Sequence, residues 1–211
     1  MPWNYNKDAN LNRDYPLVIF LHGMDAAGNI SFLNYIGYDD PGDANVDSVA
    51  YHFQKDYPCF TLVPQTSGEW DNESLIAQVE EFKNKYRIDE SRIYLIGYSM
   101  GGSGSWSFAN AYNEYNGHLF AGIIRLAGQS QTQVTDDIAA NTAMWLHIGL
   151  SDLQLRIDVT REAYNFLSEF YNNPQETTEA VPIDGYTGTT YSLILQGEDF
   201  IKRTEYDGIG H

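Results

Sequence analysis

The chain has little of what several kinds of function require. It carries one cysteine, Cys59, which excludes an internal disulfide and a cysteine-rich metal site. Cys59 lies in an apolar stretch, where a small buried residue is expected rather than a reactive thiol. Basic residues are few: 12 against 29 acidic ones, a formal charge of −17. That balance opposes binding to nucleic acid or to anionic lipid and favours solubility. The acids are scattered along the chain, which is the pattern of a solvated surface rather than of an acidic binding site. No apolar run approaches the roughly 20 residues that span a bilayer. Met1-Pro2-Trp3-Asn4-Tyr5 has neither a basic region nor an apolar core, so no signal peptide is visible. No two histidines share a metal-ligand spacing, and no glycine-rich loop precedes a Lys-Ser or Lys-Thr pair.

What is present is an ordinary globular composition, 43% hydrophobic and 19% charged, in a chain long enough for one domain with a full core. No repeat or linker divides it, so residues 1–211 are read as one domain. Pro16 to Leu21 is a continuous apolar run, as in a strand buried on both faces of a parallel sheet. Further strands are expected at Cys59–Val63, Arg92–Ile96, Phe120–Leu126, Ala143–Ile148, Tyr191–Leu195 and Phe200–Tyr206. Leu75, Ile76, Val79, Phe82 and Tyr86 recur at helical spacing, predicting a helix from about Asn72 to Tyr86. Val159, Ala163, Phe166, Leu167 and Phe170 predict another over 158–171, and a short one is expected at Val49–Lys55. Strands alternating with helices point to an open α/β sheet with a parallel centre.

The most informative segment is Gly97-Tyr98-Ser99-Met100-Gly101. An apolar strand runs into it and a helix-compatible stretch, Gly102 to Tyr112, runs out. Gly-x-Ser-x-Gly between a strand and a helix is the nucleophile elbow. A serine hydroxyl needs a base to take its proton and an acid to orient that base. In proteins built around this elbow the acid, then the histidine, follow the serine in chain order. Two histidines leave room for an acid, and His147 lies inside a predicted core strand, where a hydrogen-bonded structural role fits. His211 follows a glycine-flanked loop after the last strand, the kind of place where open α/β sheets put their chemistry. Asp152, directly after the strand ending near Ile148, is the expected acid; Asp158 is the alternative, more simply read as a helix N-cap. Acyl transfer also needs donors for the oxyanion, assigned to the Met100 and Met24 amides. His22 is read as structural, and His52 and His118 as surface or helix-face residues.

Together these residues resemble the α/β-hydrolase superfamily, and within it the small bacterial serine esterases related to feruloyl esterases and polyhydroxybutyrate depolymerases. The matching segments are Pro16 to Gly23, Val63-Pro64-Gln65 with Trp70, Gly97 to Gly102 with Trp106, Gly149 to Asp152, and Gly208-Ile209-Gly210-His211. The resemblance implies an α/β-hydrolase fold, a mostly parallel central sheet flanked by helices. It also implies a serine carboxylesterase, free of metal and organic cofactor, that acts on small-molecule esters of short-chain or feruloyl type through an acyl-enzyme. No lid insertion is visible between Gly102 and Asp152, which argues against a long-chain lipase. The resemblance further implies one or two strands before Leu17 and a helix after His211. The first strands and the last helix are therefore expected to be lacking, with Met1–Asn6 resembling the end of such a strand. If the chain natively ends at His211, Asp152 and packing of Ile209 must hold that loop; if the helix has been cut away, His211 is expected to be poorly positioned and activity to be low. A peptidase, a thioesterase or a binding module with an idle site stays open on the same scaffold.

Overall fold

The computed structural model describes residues 13–28, 57–183 and 185–211. Among these residues eight strands form one sheet in the order β2-β1-β3-β4-β5-β8-β7-β6. They are β1 (Tyr15–Leu21), β2 (Phe60–Leu62), β3 (Ile88–Tyr98), β4 (Gly122–Leu126), β5 (Ala143–Gly149), β6 (Glu176–Ile183), β7 (Tyr186–Leu195) and β8 (Glu198–Tyr206). From β2 to β8 every neighbouring pair is parallel; β7 and β6 then add an antiparallel hairpin. The helices are α1 (Asn72–Lys85), α2 (Met100–Asn116), α3 (Asp136–Asn141) and α4 (Gln154–Phe170), and a short 3-10 turn (Met24–Ala26) follows β1.

Alternation along the strands decides where the core lies. Leu17, Ile19 and Leu21 of β1 share a buried phase with Ile93 and Leu95, Ile123, Met144 and Leu146, and Ile201. Leu75 and Val79 of α1, Trp106, Phe108 and Tyr112 of α2, and Ala163 and Leu167 of α4 close that core. The opposite phase is more open: Tyr94 of β3 is 38% exposed and Trp145 of β5 37%. Burial on both faces therefore does not extend from β1 to its neighbours.

Several boundaries differ from the sequence expectation. β3 starts at Ile88 rather than Arg92, because Ile88 pairs with Tyr15 across a register shift in β1. Helix α4 starts at Gln154; its first turn carries exposed residues such as Leu155, so the apolar spacing reveals it only from Ile157 on. This places Asp158 inside the helix rather than at its cap. β6 was not anticipated: Glu176-Thr177-Thr178-Glu179 is an exposed polar edge with no apolar face to set a period of two. The six-residue α3 was also not anticipated. Among the described residues no strand precedes β1 and none of residues 207–211 is helical. The expectations for Met1–Asn6, Val49–Lys55 and His52 lie outside the described residues.

Candidate active site

Ser99 sits alone between the end of β3 and the start of α2, with φ 55° and ψ −112°. A non-glycine residue in that region costs about 1–3 kcal/mol. The turn survives because strand and helix can cross at contact distance. A Cβ on Gly97 would lie 2.2 Å from the Gly101 carbonyl oxygen, and one on Gly101 would lie 2.0 Å from that of Leu21. Ser99 N–H donates to the Leu126 carbonyl of β4 at 2.8 Å, and Ser103 N–H to the Ser99 carbonyl at 2.9 Å. The serine thus stands at the carboxyl end of the parallel strands.

Two other loops reach the same end of the sheet. Asp152 follows β5 and His211 follows β8, and β5 and β8 are neighbours. Leu150 N–H donates to the Tyr206 carbonyl and Ser151 N–H to that of Ile209, each at 2.9 Å. These bonds clamp the two loops together. The His211 end is held by the carboxylate of Asp152 and by the backbone bond from Ser151 to Ile209. Its Nε2 lies 2.7 Å from Ser99 Oγ. Its Nδ1 lies 3.0 Å from Asp152 Oδ2. Asp158 is elsewhere, accepting from Gln154 Nε2 within α4 at 2.8 Å.

The Asp152 side chain is 1% exposed and its two oxygens divide their work. Oδ2 faces His211, while Oδ1 accepts from Leu153 N–H at 2.6 Å and from Arg156 Nη1 at 2.8 Å. Burial pushes this carboxyl up, but the bonds from Arg156, Leu153 and His211 outweigh it and hold it below the ordinary aspartate range. Tyr98 stacks on the His211 ring. Neither Tyr98 nor Arg156 was singled out from the sequence. Tyr98 lies inside the pentapeptide, and an acid–base pair four residues apart at a helix start was a usable signal for Arg156.

Met24 and Met100 open the 3-10 turn and α2, where backbone amides have no partner within their own helix. With Ser99 both line a cleft of about 570 Å³ that also includes Trp70, Ser130 and Arg156. One cleft wall is pinned from below. Arg125, 2% exposed, donates to the carbonyls of Gly102 and Ser130, and Ser103 Oγ accepts from the Gln129 and Ser130 amides. The other described histidines stand apart. His22 is buried, with Nδ1 2.8 Å from the Gly23 carbonyl and its ring against Trp70. His147 Nδ1 bonds Tyr206 Oη at 2.7 Å, and burial pushes its pKa down to about 4. His118 is exposed, and Cys59 is buried, with burial raising its thiol pKa. Among the described residues no helix is long and apolar enough to cross a membrane.

This architecture is the α/β-hydrolase fold, and solved structures of that fold superimpose on it. An acetyl xylan esterase from Aspergillus awamori matches with a TM-score of 0.64 at 18% identity, over 94% of this chain and 84% of that one. A ferulic acid esterase matches with a TM-score of 0.58 at 15% identity, over 82% and 79%. The esterase PE8 matches with a TM-score of 0.54 at 14% identity, over 94% and 85%. No family model and no curated protein sequence matches the chain.

Proposed function

We propose that this chain is a serine carboxylesterase that cleaves short-chain or feruloyl-type esters of small molecules through an acyl-enzyme, without a cofactor. The observation that carries this reading is the continuous hydrogen-bonded line from Asp152 through His211 to Ser99. Ser99 Oγ attacks the ester carbonyl carbon as His211 Nε2 takes its proton. Asp152 accepts from Nδ1–H, which fixes the tautomer and stabilises the imidazolium. The Met24 and Met100 amides donate to the oxyanion of the tetrahedral intermediate. The imidazolium then protonates the leaving alcohol, and the neutral ring activates the water that releases the acid.

The cleft supports a short or polar substrate. Ser103, Ser107, Ser130 and Thr132 line it beside Trp70. A long alkyl chain laid on those hydroxyls would strip them of water without replacing its hydrogen bonds. The structurally similar acetyl xylan and ferulic acid esterases bear names that agree with this choice.

A panel of p-nitrophenyl esters of increasing chain length with one feruloyl ester, run on wild type and Ser99→Ala, tests the reading. Turnover falling with chain length and abolished in Ser99→Ala is expected. An inert ester panel beside active thioesters or peptides would reassign the chemistry.

A further inference from the structure

We propose that Arg156 is a positioning residue of this site, one whose guanidinium fixes the rotation and charge of Asp152 and, through it, the orientation of His211. The inference rests on the Ser99–His211–Asp152 reading and adds to it a fourth side chain.

Three observations carry it. Arg156 Nη1 meets Oδ1 at 2.8 Å, and together with the Leu153 amide it engages that oxygen. The carboxylate is thus locked with Oδ2 turned to His211. The pair is also shielded: the side chains of Asp152 and Arg156 are 1% and 15% exposed. A carboxylate so buried needs a countercharge to stay ionised while the ring is neutral. Finally, Arg156 Nε is shut away from solvent with no hydrogen-bond partner among the described residues. A buried donor left unpaired costs stability and calls for an explanation; holding Asp152 supplies one. The Tyr98 ring also faces the His211 ring, and the field of the Asp25 carboxylate reaches Tyr98. Both persist when Arg156 is replaced, so differences between variants report Arg156.

The sign follows from charge. Removing a cation near a carboxylate–imidazole pair favours protonation of both. The acid limb of kcat/KM should therefore move to higher pH in Arg156→Gln, by about half a unit or more. A loosened Asp152 should lower kcat by about tenfold or more and leave KM within about twofold. In Asp152→Asn, Arg156→Gln should add less than about twofold, because its route of action is already gone. Arg156→Lys keeps the charge and guards against a folding defect; its acid limb should stay near that of wild type.

The experiment is the pH profile of all four variants and wild type, together with titration of the His211 ring protons by NMR. The ring titration needs no turnover, so it reads the coupling to Arg156 even if esters prove to be the wrong substrates. A midpoint for His211 that rises in Arg156→Gln, with the kinetic pattern above, is the expected result. An unmoved midpoint, a rise confined to KM, or an equal loss in the Asp152→Asn background would overturn the proposal. The second of these would make Arg156 a substrate contact instead.

Discussion

Tyr98 lies flat against His211, ring centroids 5.1 Å apart and planes 22° from parallel. The residue just before the serine thus braces the ring that the serine faces. The bracing surface comes from the last residue of β3, so it is as rigid as the sheet. Tyr98→Ala should lower kcat by about tenfold, since a misplacement of about 1 Å can cost 100-fold. Tyr98→Phe keeps the ring and should stay near wild type. Steady-state kinetics on both variants checks this, and equal activity in Tyr98→Ala would show that the stacking does not position His211.

The strain at Ser99 gives a stability prediction opposite in sign to the activity one. Ser99→Ala and Ser99→Gly should both lose ester hydrolysis by about 10⁴-fold or more. At φ 55° and ψ −112°, glycine is unstrained where alanine is not. Ser99→Gly should therefore be more stable than Ser99→Ala by about 1 kcal/mol. Urea denaturation of the two variants measures the difference; the reverse order would mean that the elbow stores no strain.

Asp152 and Asp158 separate cleanly. Asp152→Asn leaves the Nδ1 side of His211 facing an amide that can present the wrong group, with an expected loss of about 10³-fold or more in kcat. Asp158→Asn removes a charge from one exposed contact within α4 and should stay within about twofold of wild type. The opposite ranking in a side-by-side assay would move the acid to Asp158.

His147 makes the fold sensitive to mild acid. Its pKa is about 4 folded and about 6.5 in an unfolded chain. A histidine depressed in this way contributes its full stability above about 6.5, where both states are neutral. That contribution is lost as pH falls towards 4, because only the unfolded chain takes up the proton. The gap corresponds to about 3 kcal/mol between pH 7 and pH 4. Urea midpoints at pH 7, 6 and 5 should fall less steeply in His147→Gln than in wild type. Parallel slopes would show that the ring titrates normally in the folded protein.

How far the sequence could be read depended on the range of the interactions. The elbow was legible because its constraint is local: two glycines and a serine are demanded by one turn, whatever the rest of the chain does. Asp152 and His211 were legible as candidates, since each follows a strand directly and strand ends carry open-sheet sites. The β6–β7 hairpin was only half legible. β7 buries Gly188, Thr190 and Ser192 in one phase and Leu193 in the other, but β6 is a polar edge held by its partner's backbone.

By itself the sequence determined the alternation of strands and helices and the conformation of the Ser99 turn, because steric demands and apolar spacing act over a few residues. Only the tertiary structure decided which polar groups meet. Ser99 and His211 are 112 positions apart, and Asp152 and His211 are 59 apart. Their meeting follows from the order of strands in the sheet, which sets β3 and β8 on either side of β4 and β5. The stacking of Tyr98 on His211 belongs to the same level. It depends on where two loops are clamped, and no local pattern carries that information.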